Sequence, residues 1–161
     1  MKTFFTLLAF LILFSGCSRK DAFFGFEMDI AQKMSASSLQ SSKILSKDGQ
    51  ISGIFSIIYL NEVYPKSFNE NEYFFIFIFT KEPKEFYNPK KPTDTDLVLK
   101  LNSQLPIKVE ELPKENRFSY LVDTKSDWNK YYIVSFKKSD TLELVLEDKE
   151  SSSEIIKYKK D

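Results

Sequence analysis

The chain has 161 residues, the size of one domain, and its 23 basic and 23 acidic side chains leave no net charge. A balanced charge argues against a nucleic-acid-binding protein, because such a domain normally carries a basic excess. The chain has no histidine and only one cysteine, which excludes histidine-based catalysis, an intrachain disulfide and a thiolate zinc site. We therefore predict no catalytic residues, no cofactor and no metal site.

The N-terminal residues have the pattern of an export signal. Lys2 gives a positive start, and residues 3–14 form an almost unbroken apolar run of twelve residues, which is too short to span a bilayer. Ser15, Gly16 and Cys17 follow directly, and small residues before a cysteine resemble the lipobox of bacterial lipoproteins. The resemblance covers about the first twenty residues. The alternative is an ordinary secreted protein with a stray cysteine.

The resemblance to lipoproteins implies how the chain is processed and where it resides. The signal peptide, residues 1–16, is cut between Gly16 and Cys17, and the Cys17 sulfur carries a diacylglyceryl thioether. One acyl chain anchors a protein only marginally, whereas two or three hold it stably. Ser18, rather than aspartate, follows the cysteine, which in this family favours the outer membrane. We expect an extracytoplasmic protein held to the bacterial membrane by its lipid, with residues 17–38 as a tether and short helix.

The tether region contains the candidate helix. Apolar side chains recur at helical spacing at Phe23, Phe26, Ile30 and Met34, and Asp21 is suited to cap the start of such a helix. The alternative is a partly ordered leader whose aromatic side chains dock on the domain or on the membrane surface.

Residues 39–161 have the pattern of short β-strands. Asp48-Gly49 between two apolar-bearing runs predicts a hairpin, and residues 73–79, seven consecutive apolar side chains, predict a central strand buried on both faces. An edge strand is expected at 105–112, where Pro106 interrupts the pattern. Further strands are expected at 97–101, 118–122, 128–136, 141–147 and 154–159. About eight strands favour a mainly β fold, an antiparallel two-sheet sandwich of immunoglobulin-like type.

A proline-rich loop is the first candidate for contact with a partner. Residues 82–95 contain three prolines together with Lys84, Lys90 and Lys91, which is typical of a long loop rather than a strand. Its basic side chains could contact anionic lipid headgroups or a partner protein. The alternative is an ordinary solvated loop.

A cluster of aromatic residues is the second candidate. Trp128, Tyr131 and Tyr132 lie close together in the sequence, and Trp128 with Tyr131 could form a platform for a glycan or protein partner. Strand alternation sends Tyr131 and Tyr132 to opposite faces, so one of the two is expected to be exposed. The alternative is a core residue beside an ordinary surface tyrosine.

Three functions remain open from the sequence. The first is a lipid-anchored, non-catalytic envelope protein that binds or supports a partner protein, without a nucleic-acid partner. The second is a carrier or sensor of a small apolar ligand or lipid, which predicts an enclosed cavity of several hundred Å³. The third is a carboxylate-based cell-wall glycosidase, which predicts two carboxyl groups about 5 to 9.5 Å apart in a cleft.

Overall fold

The computed structural model describes residues 29–93, 95–121 and 126–160. The predicted signal peptide, the cleavage site at Gly16 and the lipidation site at Cys17 lie outside the described residues. The elements are α1 (Ile30–Ser38), β1 (Gln40–Ser46), β2 (Ile51–Tyr59), α2 (Leu60–Val63), β3 (Glu72–Thr80), β4 (Val98–Leu101), β5 (Lys108–Leu112), β6 (Lys130–Phe136), β7 (Leu142–Glu147), β8 (Ser151–Ser153) and β9 (Ile156–Tyr158).

The strands form one continuous antiparallel sheet that is curled into a half-barrel. Its hydrogen-bonded order is β4-β7-β8-β1-β2-β3-β6-β5, and β9 pairs with the first half of β7. This arrangement confirms the predicted mainly β, antiparallel class. The two-sheet, immunoglobulin-like arrangement is not confirmed, because the described strands are linked by hydrogen bonds from one edge to the other. β5 is one of the two edges, as predicted for residues 105–112.

The β1–β2 hairpin forms at the predicted Asp48-Gly49 turn. Gly49 has a φ of 79°, a conformation that a residue with a Cβ atom disfavours. The Asp48 carboxylate accepts a hydrogen bond from the Ser46 hydroxyl at 2.5 Å and so fixes the turn. Farther along the hairpin, Gly53 allows β2 and β3 to lie close together, since a Cβ there would be 2.5 Å from the Phe79 carbonyl oxygen.

β3 is buried on both faces, as the sequence predicts, because it lies between β2 and β6. Phe74, Ile76 and Ile78 belong to a cluster that also collects side chains from both edge strands, and we call this cluster the inner core. Phe75 and Phe77 point to the opposite face and belong to a second cluster, the outer core. Because successive side chains of a strand point to opposite faces, one apolar strand contributes to both cores.

The outer core is covered by α1, α2 and residues 113–121. α1 begins after Asp29, whose carboxylate accepts a hydrogen bond from the Gln32 amide at 2.7 Å, while the Gln32 side chain accepts one from the Asp29 amide at 3.0 Å. The predicted helix is therefore confirmed in its second part. Met34 packs on the outer core as expected, but Ile30 is 77% exposed.

Two local expectations were wrong. Residues 118–121 form turns rather than a strand, because the Asn116 side chain and carbonyl accept hydrogen bonds from the amides of Phe118 and Ser119. β8 was not predicted, because its three serines offer no alternation of apolar and polar side chains.

Candidate functional site

An open cleft of about 870 Å³ lies between the end of α1, α2 and the C-terminal strand β9. Its volume falls within the roughly 300–1,000 Å³ that is typical of ligand sites. The floor of the cleft is aromatic and is formed by Tyr59 and Tyr158. One wall is apolar and is formed by Met34, Pro65 and Phe68. The rim is basic and is formed by Lys138, Lys157, Lys159 and Lys160.

The floor lies where β2 and β9 end. The rings of Tyr59 and Tyr158 are 5.6 Å apart between centroids, and both pack on Phe74 of the inner core. The Tyr158 hydroxyl lies 2.8 Å from the carbonyl oxygens of Ser38 and Ile57, so it ties the end of α1 to the sheet. Burial raises the pKa of Tyr158, and its hydroxyl therefore remains a neutral hydrogen-bond donor.

A buried carboxylate lies directly behind this floor. Glu72 is completely buried, and its Oε2 accepts a hydrogen bond from the Tyr59 hydroxyl at 2.6 Å. Its Oε1 accepts hydrogen bonds from the Ser139 amide at 3.1 Å and from the Lys160 ammonium at 2.5 Å. These contacts join the start of β3, the β6–β7 connection and the C-terminal residues behind one side of the cleft.

The surroundings of Glu72 keep its carboxyl group ionised. Burial by itself would raise the pKa of Glu72, but the hydrogen bonds from Lys160 and Tyr59 outweigh burial and hold the pKa below its ordinary value. The carboxylate therefore balances the charge of Lys160 at neutral pH. A glycosidase acid has the opposite properties, a raised pKa and direct access to the substrate. Glu72 thus fits the role of an anchor for the cleft.

Two of the rim lysines keep their charge available to a ligand. Lys157 and Lys160 form ion pairs with carboxylates of the chain, at 2.7 and 2.5 Å. Lys138 and Lys159 are exposed and form no ion pair within the part of the chain that the structure describes. Among the described residues that line the cleft, Glu62 is the one acidic residue. The lysine rim therefore favours an acidic group in a bound molecule.

No family model, curated protein or solved structure matches this chain. Within residues 29–93, 95–121 and 126–160, no group of three or more acidic, histidine or cysteine side chains is placed to hold a metal ion. In these same ranges, no helix has the length and apolar character that crossing a bilayer requires. The chemistry of the cleft itself is therefore the basis for a functional hypothesis.

The three lysines predicted for partner contact lie outside the cleft. The Lys84 ammonium pairs with the Asp148 carboxylate. Burial would raise the pKa of Asp148, but the hydrogen bonds from Lys84 and Ser151 outweigh burial and lower the pKa to about 2. Lys90 and Lys91 are exposed in a turn. Lys84 is thus engaged within the protein, whereas Lys90 and Lys91 remain at the surface.

The predicted aromatic cluster divides into an exposed and a buried part. Trp128 is 79% exposed. The alternation rule predicts one exposed tyrosine, but Tyr131 and Tyr132 are both buried, because β6 lies between β3 and β5 and both of its faces are covered. Tyr131 belongs to the outer core, and Tyr132 stacks on Phe86 with ring centroids 4.6 Å apart. Of the predicted platform, Trp128 alone lies at the surface.

Sequence reasoning did not find the residues that build the cleft. Glu72 resembles a solvent-exposed charge that precedes an apolar strand, and the C-terminal lysines resemble the edge of a sheet. Glu72 and Lys160 are 88 residues apart in the sequence, so no local pattern connects them. One signal could have placed Glu72 on a buried face, since it continues the alternation of Phe74 and Ile76.

Proposed function

We propose that this protein is a lipid-anchored, non-catalytic envelope protein that binds a partner protein through the cleft. The observation that carries the proposal is the combination of an aromatic floor with two exposed lysines, Lys138 and Lys159, that have no carboxylate partner among the described residues. A partner segment that offers an acidic side chain next to an apolar one fits both features.

The apolar wall and the basic rim would contribute differently to binding. An apolar side chain that removes Met34, Pro65 and Phe68 from water would gain about 25 cal/mol for each Å² buried. Exposed ion pairs contribute only about 0 to 1 kcal/mol each. We therefore expect the lysines to steer an acidic partner and fix its orientation, while apolar contact supplies most of the binding free energy.

The proposed anchor keeps the cleft close to a membrane. Cys17, the predicted lipidation site, is twelve positions before Asp29, the first residue described. A chain of that length spans at most ~43 Å, since an extended residue covers no more than ~3.6 Å. The domain would then lie within this distance of the membrane surface that carries the lipid. We propose that this membrane is the outer membrane.

The titratable groups of the cleft support a non-catalytic role. Burial raises the pKa values of Tyr59 and Tyr158, so their hydroxyl groups remain protonated near neutral pH. The pKa of Glu72 is lowered, so its carboxylate remains ionised. A general acid or base works best with a pKa near the working pH, and none of these three groups has one.

A carrier of an anionic lipid is the second candidate, because the same cleft fits an acidic headgroup. The headgroup would lie against Lys138 and Lys159, and the first methylene groups would lie against Phe68. The cleft is open to solvent rather than enclosed. A lipid would therefore be held by only part of its length, whereas a partner protein could cover the rest of the opening.

Affinity purification in mild detergent tests the partner proposal. The tag is joined through a long Gly/Ser linker to the C-terminus, because Lys159 and Lys160 line the cleft. Wild-type protein is compared with the cleft variant Lys138→Glu/Lys159→Glu. The matched control is Lys90→Glu/Lys91→Glu, which reverses the same number of exposed charges outside the cleft.

We expect a defined envelope protein to co-purify with the wild type and the control but not with the cleft variant. Loss with the control alone would assign the contact to the 82–95 loop instead. A lipid identified by mass in place of a protein would favour the carrier. Cys17→Ala should release the protein from the membrane fraction once residues 1–16 are removed, and full retention of the cleaved variant there would contradict the lipid anchor.

A further inference from the structure

Three exposed apolar side chains lie on segments at the outer-core side of the sheet, and none of the three lines the cleft. Trp128 is 79% exposed, Ile30 is 77% exposed and Tyr120 is 48% exposed. Tyr120 and Trp128 belong to residues 113–121 and 126–129, which we call the cap. Exposed apolar groups that share one surface mark a contact site more often than isolated ones do.

One hydrogen bond and one ion pair link the segments that carry these three residues. The Gln32 side chain donates a hydrogen bond to the Tyr120 carbonyl at 3.0 Å, so the first turn of α1, which includes Ile30, is fixed against the cap. The Lys114 ammonium pairs with Asp127, the residue that precedes the tryptophan, so the two parts of the cap are joined. The Tyr120 hydroxyl also contacts the hydroxyl of Tyr64, which packs on the outer core. These contacts connect the segments that carry the three exposed side chains.

The orientation of this surface follows from the packing of the cap. Phe118 and Leu121 of the cap are buried in the outer core. The second part of the cap lies on the same side, because the Ser126 amide donates a hydrogen bond to the hydroxyl of Tyr131, another outer-core residue, at 3.0 Å. Tyr120 and Trp128 are therefore exposed on the outer-core side of the sheet. Tryptophan and tyrosine are the side chains enriched at membrane–water interfaces, because each combines an apolar ring with a polar group.

The start of the described chain lies beside this surface. Asp29 is its first residue and directly precedes Ile30, and Cys17 is twelve positions earlier. We propose that Ile30, Tyr120 and Trp128 rest on the bilayer that holds the lipid. This inference rests on the proposed function, because the lipid at Cys17 would keep the surface next to that bilayer.

Apolar contact, rather than charge, would drive this interaction. The described charged side chains of the cap and of the first turns of α1 balance each other, three basic against three acidic: Lys33, Lys114, Arg117, Asp29, Glu115 and Asp127. The contact should therefore persist on uncharged lipid. α1 is about 13 Å long, and the cleft lies at its other end. Contact through Ile30 would thus leave the cleft open to a partner.

The fluorescence of Trp128 tests the inference directly, because it is the single tryptophan of the chain. The processed protein is purified from membranes and its mass is measured to establish whether Cys17 carries lipid. It is then reconstituted into vesicles of phosphatidylcholine, alone or mixed with phosphatidylglycerol. Each preparation is made with ordinary and with acyl-brominated lipid, which quenches a tryptophan that touches the bilayer.

We expect the emission to shift to shorter wavelength in both kinds of vesicle and to be quenched by brominated lipid. Ile30→Ser/Tyr120→Ser should lose most of the quenching. Leu105→Ser/Ile107→Ser, a matched pair of exposed apolar residues outside the cap, should keep it. Far-UV circular dichroism checks that each variant is folded.

Unchanged emission with brominated lipid would overturn the inference, as would a shift seen only when a co-purified protein is present. The two proposals fail separately. A mass without lipid at Cys17 would contradict the anchor, while vesicles added to that same sample would still test the contact surface. Lipidated protein whose tryptophan is not quenched would support the anchor and would contradict contact of Ile30, Tyr120 and Trp128 with the bilayer.

Discussion

At each end of the half-barrel, a buried acid pairs with a lysine. Glu72, the first residue of β3, pairs with Lys160 at one end. Lys84, four residues after the last residue of β3, pairs with Asp148 at the other. The two carboxylate side chains are 0% and 7% exposed. We call these pairs the Glu72 clamp and the Asp148 clamp.

The two ends differ in what lies beyond the clamp. At the Glu72 end a cleft of about 870 Å³ carries two further lysines, Lys138 and Lys159, that have no acidic partner in the described ranges. At the Asp148 end the cleft is about 280 Å³. Its lining has two lysines, Lys84 of the clamp and Lys149, together with four acidic residues, Glu82, Asp96, Asp148 and Glu150. The charges around the two clefts therefore differ, since lysines outnumber acidic residues in the lining at the Glu72 end and acidic residues outnumber lysines at the Asp148 end. Composition alone does not reveal this difference.

Removal of the Phe74 ring should have the largest effect on the Glu72 end. Phe74 is completely buried and supports Tyr59 and Tyr158, with ring centroids 5.2 and 6.0 Å away. We expect Phe74→Ala to lower the free energy of unfolding by about 3 to 5 kcal/mol, because a cavity remains in the inner core. Urea unfolding measures this loss. Phe79→Ala, in the same strand but partly exposed, is the control and should cost clearly less.

Neutralisation of Glu72 should have the next largest effect. Glu72→Gln keeps the shape of the side chain but removes the charge that Lys160 and Tyr59 bind. Hydrogen bonds to charged groups contribute roughly 1.5 to 3 kcal/mol, so we expect a loss of about that size in urea unfolding at pH 7. Glu70→Gln, at an exposed position two residues earlier, should change stability little. Equal stability of the two variants would contradict the Glu72 clamp.

The Asp148 clamp should lose its contribution in acid. The pKa of Asp148 falls from 3.8 to about 2 in the folded protein, so its contribution is complete above about pH 4 and is lost as the pH falls toward 2. The shift corresponds to about 2 kcal/mol. Asp148→Asn should therefore be less stable than the wild type at pH 7.

A series of urea unfolding curves from neutral to acid pH checks this prediction. The difference between the wild type and Asp148→Asn should narrow below about pH 4, because protonation removes the same charge from the wild type. A difference in the free energy of unfolding that stays constant down to about pH 2 would show that the charge of Asp148 does not stabilise the protein. The Glu72 clamp should weaken in the same direction, since its pKa is also lowered.

The parts of the fold that depend on local patterns could be predicted from the sequence. The Asp48-Gly49 turn and the apolar strand at 73–79 are confirmed because turn chemistry and burial on both faces leave local signals. The curl of the sheet leaves no local signal in the sequence. The sequence therefore could not distinguish one continuous curled sheet from a sandwich of two sheets. Tyr131 and Tyr132 were misjudged for a related reason, since alternation does not show whether both faces of a strand are covered.

The candidate site could not be predicted, because its parts come together only in the fold. Tyr59, Glu72, Ser139 and Lys160 come from four separate parts of the chain. Each looks ordinary in its own surroundings. The sequence instead drew attention to Lys84, whose charge the Asp148 clamp uses. What decides between a structural and a functional lysine is the neighbour that folding supplies.

Reversal of the charges of Lys138 and Lys159 should have the smallest effect on stability. This variant also distinguishes a role of the cleft in binding from the structural role of the Glu72 clamp. Lys138 and Lys159 are exposed and unpaired among the described residues, so Lys138→Glu/Lys159→Glu should change the free energy of unfolding by no more than ~0.5 kcal/mol. Urea unfolding beside Glu72→Gln provides the comparison. Loss of the partner at unchanged stability would assign the two lysines to recognition. A loss of stability as large as that of Glu72→Gln would instead assign them to holding the C-terminal strand, and the cleft would then be a by-product of the clamp.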